Sequence, residues 1–246
     1  MTEVIEMKKL LGMLLALALM LCSAALADYE VFTAPDGTQF YGMTKDGEPM
    51  GFIAMRQPSG DKLMFGLLRQ GQWQGSLYTV VLDENGAFTR LIIQNYAEGR
   101  QQAALHCMAD GRLTLFSYTD GEMTGMIVRD ADGATAYTVK DGAATAGEAV
   151  AVSSLAGTAM DSAGVTLHVQ ADDSRTCYAV LDDKGGVFAA VQVHADGSVV
   201  ASRNFDGECL AYSVADNTCT LGVMQDGAWA PGAVVLHGDG STTRLE

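Results

Sequence analysis

The chain has 246 residues with 15 Lys+Arg against 30 Asp+Glu, a net charge of −15 at pH 7. That balance excludes a nucleic-acid binder, because affinity for a phosphate backbone rests on clustered Lys and Arg. Hydrophobic residues at 48% and charged ones at 18% exclude a chain disordered throughout, and 28 glycines beside 4 prolines predict many tight turns and no Pro-rich linker.

The first segment reads as a secretory signal peptide, residues 1–27. Lys8 and Lys9 form a short basic region, Leu10 to Leu21 is apolar apart from Gly12, and Ala25-Leu26-Ala27 supplies small residues for cleavage after Ala27. The apolar run is short for a membrane span. Cys22 offers a lipoprotein alternative, but Leu21 stands where a small residue is wanted. The leader carries two lysines and two glutamates, so residues 28–246 keep the charge of −15. They contain no second run of about 20 apolar residues, so no stable membrane span is expected, and the localisation is secreted or extracytoplasmic.

From residue 28 to 142 the dominant signal is repetition. Asp-Gly occurs at 36–37, 46–47, 110–111, 120–121, 132–133 and 141–142, and again at 196–197, 206–207, 226–227 and 239–240, with Asn85-Gly86 as a further pair. Glycine reaches positive φ freely and Asx tolerates it, so these pairs predict type I′ hairpin turns. Between them lie β-rich stretches such as Ser76–Leu82, Phe88–Ile93 and Thr135–Val139. Gly47, Gly71 and Gly121 are each followed four residues later by Gly51, Gly75 and Gly125, and Gly99 and Gly207 by Ala103 and Ala211. The unit of about 21 to 28 residues fits one hairpin that stacks on its neighbours. No segment of 28–246 shows a capped helical period.

Phe40-Tyr41-Gly42, Asp46-Gly47, Gly51 and Ser59-Gly60, then Met64-Phe65-Gly66, Gly71, Gly75 and Asn85-Gly86, resemble MORN (membrane occupation and recognition nexus) repeats. The resemblance covers residues 38–142 and, more loosely, 175–246. It implies an extended twisted sheet of consecutive antiparallel hairpins that acts as a scaffold or binding surface, sometimes as a dimer. The lipid role in the family's name does not suit an acidic chain without a basic patch. Residues 143–164, rich in Ala, Ser, Thr and Gly, form a degenerate repeat or a linker, and 165–246 form divergent hairpins starting at Val165–Val169. The expected class is all-β, one continuous sheet, with two halves joined near 143–164 as second choice. A closed propeller- or barrel-like structure is the other alternative.

Candidate chemistry is sparse. His106, His168, His194 and His237 fall in no catalytic motif. His106 adjoins Cys107, but adjacent strand residues point to opposite faces. Asp130/Asp132, Asp172-Asp173 and Asp182-Asp183 lack the spacing of a calcium loop and read as turn carboxylates. No metal, cofactor or catalytic residue is therefore assigned. Cys107, Cys177, Cys209 and Cys219 permit two disulfides in any of three pairings. Phe40, Tyr41, Phe65, Trp73 and Tyr78 cluster in the first two units and would either stack on a sugar or extended peptide or form the core of a thin sheet. Two functions compete. One is an exported, non-enzymatic module presenting a sheet face to a protein or cell-envelope partner, with a homodimer as one form. The other is an extracytoplasmic hydrolase whose carboxylate and His site is scattered in the sequence.

Overall fold

The computed structural model describes residues 30–45, 48–151, 157–182, 184–202, 207–239 and 241–245. Residues 1–27, expected to be a secretory signal peptide, and the Asp46-Gly47 pair lie outside them. The described chain is all-β, built of consecutive antiparallel strands as expected. The first sheet comprises β1 (Glu30–Thr33), β2 (Gln39–Lys45), β3 (Glu48–Arg56), β4 (Lys62–Arg69), β5 (Gln72–Leu82), β6 (Phe88–Ala97), β7 (Arg100–Met108), β8 (Leu113–Thr119), β9 (Glu122–Arg129), β10 (Gly133–Lys140) and β11 (Ala143–Ala151). The second comprises β12 (Thr158–Ser162), β13 (Val165–Ala171), β14 (Arg175–Leu181), β15 (Val187–His194), β16 (Val199–Ser202), β17 (Gly207–Ser213), β18 (Thr218–Gln225), β19 (Ala228–Trp229), β20 (Val234–His237) and β21 (Thr242–Arg244). Strand order follows chain order in both, with β19 and β20 both pairing β18.

The expectation of one continuous sheet is corrected, and so is the closed alternative: there are two open sheets. The break falls between β11 and β12, inside the Ala-rich segment 143–164, whose first part is an exposed edge strand. The reason is burial. Successive residues of a strand point to opposite faces, and one face of the first sheet presents a cross-strand row Tyr41, Ala54, Phe65, Tyr78, Ile93, Leu105, Leu115, Ile127 and Ala136. The second sheet presents Val169, Tyr178, Val191, Ala201, Leu210, Leu221 and Val234. Left apart, each row would face water. Packed together they form one apolar cluster, in which Tyr78, Ile93, Leu105, Leu115, Ile127, Val191, Ala201 and Leu210 are fully buried.

Polar contacts pin the two layers together. Ser76 Oγ donates to the Phe188 carbonyl at 2.9 Å, and Ser117 Oγ to the Ser162 carbonyl at 2.8 Å. Ser162 Oγ donates back to the Tyr137 carbonyl at 2.9 Å. The rings of Phe88 and Tyr212 stack with centroids 5.1 Å apart.

The turn glycines, in Asx-Gly pairs and outside them, divide into two turn classes, a correction to the single class expected. In the first sheet, Gln70-Gly71, Glu98-Gly99, Asp120-Gly121 and Asp141-Gly142 have both residues at positive φ, as type I′ requires, and all lie at one end. At the other end Gly37, Gly60, Gly86 and Gly111 alone are left-handed, each closing a type I turn; Gly37 N–H, for instance, donates to the Ala34 carbonyl at 2.9 Å. Here an Asp carboxylate bonds the turn amides, as Asp36 does with Thr38 N–H at 2.9 Å. Those bonds hold the Asp36, Asp83 and Asp110 carboxyls below the ordinary range.

The small residue four positions after each type I′ glycine also has a physical cause. Gly75, four residues after Gly71, adopts positive φ where the second strand shifts register, and Gly51 does the same in β3. Gly125 follows a similar shift and touches the other sheet; a Cβ there would overlap Ser162 Oγ and stand 2.8 Å from Ala163 Cβ.

These two kinds of glycine separate by substitution. Gly121→Ala meets no atom within 4 Å and suffers only its φ of +86°, so a loss of about 1 kcal/mol is expected. Gly125→Ala is expected to lose about 3 kcal/mol by forcing the sheets apart. Urea midpoints in the order wild type, Gly121→Ala, Gly125→Ala check this; equal midpoints contradict it.

Candidate functional site

The aromatic cluster divides between interior and exterior. Phe65 and Tyr78 are 4% and 0% exposed, in a ladder with Phe52 whose ring centroids are 6.1 and 6.4 Å apart. Both belong to the core. Tyr41 packs on the same cluster from the inner face, and a gap of about 30 Å³ separates Tyr41, Phe52 and Phe65 from Leu221–Val223 and Pro231–Val234. That is room for about one water. Phe40 and Trp73 lie on the opposite, outer face of the first sheet.

That outer face carries two long cross-strand rows. The first runs Phe40, Met55, Met64, Thr79, Ile92, His106, Thr114, Val128 and Thr135. The second runs Gly42, Ile53, Gly66, Leu77, Gln94, Ala104, Phe116, Met126 and Tyr137. Glycine stands opposite a large aliphatic for a reason. A Cβ on Gly42 would sit 2.5 Å from Ile53 Cδ1, and one on Gly66 would sit 3.1 Å from Leu77 Cδ1 and 3.3 Å from the Trp73 ring. Ile53 and Leu77 thus fold down over bare backbone and are buried although they face outward. Phe40, Met55, Met64, Ile92, Phe116, Met126, Val128 and Tyr137 remain half-exposed, a continuous apolar band bordered at one end by Lys62 and Arg90. The outer face of the second sheet is mixed, with Ala179, Gln192, Ala211 and Thr220 in its rows and a concavity of about 470 Å³ beside His168, Cys177, Leu181 and Ala190.

A second feature is a cleft of about 380 Å³ between the sheets, at the type I′ end of the first. Buried Ala103, Val165 and Phe188 form its apolar floor, and half-buried Asn95 and Gln102 add amides. Exposed Glu98, Arg100, Asp120 and Asp182 border it, with Arg100 Nη1 3.6 Å from Asp120 Oδ1. No sequence signal pointed here, because the lining comes from five strands, β6, β7, β8, β13 and β15, and the turns beside them.

None of the four histidines lines this cleft. His106 packs edge-on against Phe116 at 5.1 Å on the outer face; burial, and secondarily Arg90, depresses its pKa. Its neighbour Cys107 points the other way, into the core, where burial pushes the thiol up to about 12. Cys219 is likewise buried at about 12, and Cys209 at about 11. Among the described residues only the Cys177 thiol is half-exposed, on the outer face of the second sheet, and the four described thiols are free. The acidic pairs serve turns: Asp130 accepts from the amides of Asp132 and Gly133, and Asp172 from those of Ser174 and Arg175. Among the described residues no three His, Cys, Asp or Glu side chains gather as a metal-holding group, and no helix is long and apolar enough to cross a membrane. No protein-family model matches the chain, and no curated protein matches it.

Two measurements follow from the thiols and from His106. An aromatic disulfide reagent is expected to lose one rapidly reacting thiol in Cys177→Ala and none in Cys107→Ala; the reverse contradicts the burial described. His106 is protonated more readily unfolded than folded, so its contribution to stability is full above the unfolded pKa of about 6.5 and declines as pH falls through it. Lowering the pH from about 7.5 to about 5.5 should destabilise the wild type more than His106→Gln.

Proposed function

We propose that the chain is an exported, non-enzymatic binding module that presents the outer face of its first sheet to a partner protein. One observation carries the reading: a band of half-exposed apolar side chains crosses that face from Phe40 to Val128 and Tyr137. A contiguous apolar patch of this kind on a chain otherwise strongly acidic is the usual mark of an interaction surface. Phe40 and Trp73 supply its aromatic anchors at the β1 side, and Lys62 and Arg90 favour a partner with carboxylates at the matching rim. The leader-like residues 1–27 support export, which makes a cell-envelope or extracellular protein the natural partner. The MORN-like spacing of 38–142 supports a scaffold built of hairpins.

The hydrolase reading has one observation in its favour: Glu98, Asp120 and Asp182 border a single cleft. However, Asp120 is paired with Arg100, Asp182 Oδ1 accepts from the amides of Lys184 and Gly186, and no histidine is nearby. That arrangement binds better than it transfers protons.

The test is capture from the cell-envelope fraction with three baits: wild type, Met64→Glu/Ile92→Glu on the band, and Thr220→Glu on the second sheet. A saturable partner retained by wild type and Thr220→Glu and lost by the double variant, with unchanged circular dichroism, supports the reading. A partner indifferent to the double variant, or turnover in a hydrolase panel, overturns it. Self-association lost in the same variant by sedimentation equilibrium identifies the partner as a second copy.

A further inference from the structure

The inter-sheet cleft is framed by the two serine contacts that pin the layers. Ser76 on β5 and Ser117 on β8 belong to one cross-strand row of the inner face, Ser76, Asn95, Ala103 and Ser117. The outer members reach across to the carbonyls of Phe188 and Ser162. The middle members do not, because the Ala103 side chain has no polar group and the Asn95 side chain makes no hydrogen bond among the described residues. The layers are held at both sides and open between them, across three strand spacings or roughly 14 Å. The 380 Å³ of the cleft lies at the small end of the range for ligand sites, about 300–1000 Å³.

The lining is ordered by depth. Ala103, Val165 and Phe188 make the floor apolar; Asn95 and Gln102 present amides part-way up; Glu98, Asp120 and Asp182 at the mouth outnumber the single cation Arg100. That sequence matches a side chain with an apolar stem and a cationic, multiply donating head. Glu98 has no basic partner among the described residues, and the exposed Arg100 guanidinium lies at the rim, 3.6 Å from the exposed Asp120 carboxylate. We propose that this cleft is a docking site for an arginine side chain of a protein partner, its methylenes on Phe188 and Val165 and its guanidinium shared by the amide oxygens and Glu98. A guanidinium suits the site better than an ammonium, since its five donors spread over several acceptors. Anionic ligands are rejected by the same rim, and a neutral sugar would leave Glu98 unpaired. The proposal does not depend on the apolar outer face, which lies on the other side of the sheet.

The test titrates the isotopically labelled full chain with N-acetyl-arginine amide, and separately with its neutral isostere N-acetyl-citrulline amide, followed by amide chemical shifts. Saturable shifts confined to Asn95, Gln102, Ala103, Val165 and Phe188 are expected with arginine, and at least 10-fold weaker binding with citrulline, a difference of about 1.4 kcal/mol. Glu98→Gln should weaken arginine about 10-fold and leave the fold intact, because Gln70 occupies the same left-handed turn position between β4 and β5. Glu84→Gln, at the opposite end of the sheet, should leave the affinity unchanged. Equal binding of arginine and citrulline, shifts spread over the whole acidic surface, equal effects of Glu98→Gln and Glu84→Gln, or no shifts at tens of millimolar each overturn the proposal. Equal affinity for the lysine analogue overturns the preference for arginine.

Discussion

The structure depends on the burial of one sheet's apolar face against another's. A meander of eleven strands with an alternating sequence has an apolar inner face whatever its turns do, and a single layer leaves that face in water. The chain resolves this by stopping the first sheet at β11 and building a second sheet to cover it. The apolar rows on the two inner faces, centred on Tyr78, Ile93, Leu105 and Leu115 and on Tyr178, Val191 and Leu210, then become a single core. The serine contacts, the Phe88–Tyr212 stack and the missing Cβ of Gly125 are the local conditions for close approach. The cleft is where those conditions lapse between β5 and β8.

Much of the fold was legible, and for a simple reason. Turn chemistry is local: an Asx-Gly pair states its own backbone requirement, and the strands between such pairs alternate visibly. So the hairpin succession, the absence of helix and even the Gly-x-x-x-Gly spacing carried through to β-hairpins with shifted registers. The division into two turn classes was less visible, since Asp36-Gly37 and Asp120-Gly121 are the same dipeptide. What separates them is whether the carboxylate bonds the next amides, as Asp36 does, or both residues turn left-handed, as at Asp120.

The rest was not local. Whether Phe65 stacks on a ligand or on Tyr78 depends on which face the second sheet covers, and that sheet lies more than ninety residues downstream. The cleft is still less accessible to sequence reasoning, because Asn95, Glu98, Asp182 and Phe188 acquire a common address only when the layers meet. The acidic clusters were correctly read as turn carboxylates, since their partners lie two or three residues away. The cleft residues have the least sequence signal because they are brought together at longest range, where the shared core is interrupted.

The central claim is that the two sheets are one cooperative unit with a common interior, and the two tryptophans report it directly. Trp73 lies over Gly66 in the first sheet and Trp229 beside Gly222 in the second. In Trp229→Phe and Trp73→Phe, the remaining tryptophan follows one sheet during urea unfolding while far-ultraviolet circular dichroism follows all strands. A shared core predicts that fluorescence and dichroism superimpose within each variant. Fluorescence of either tryptophan moving well before or after the dichroism would show two sheets that unfold independently and would contradict the account.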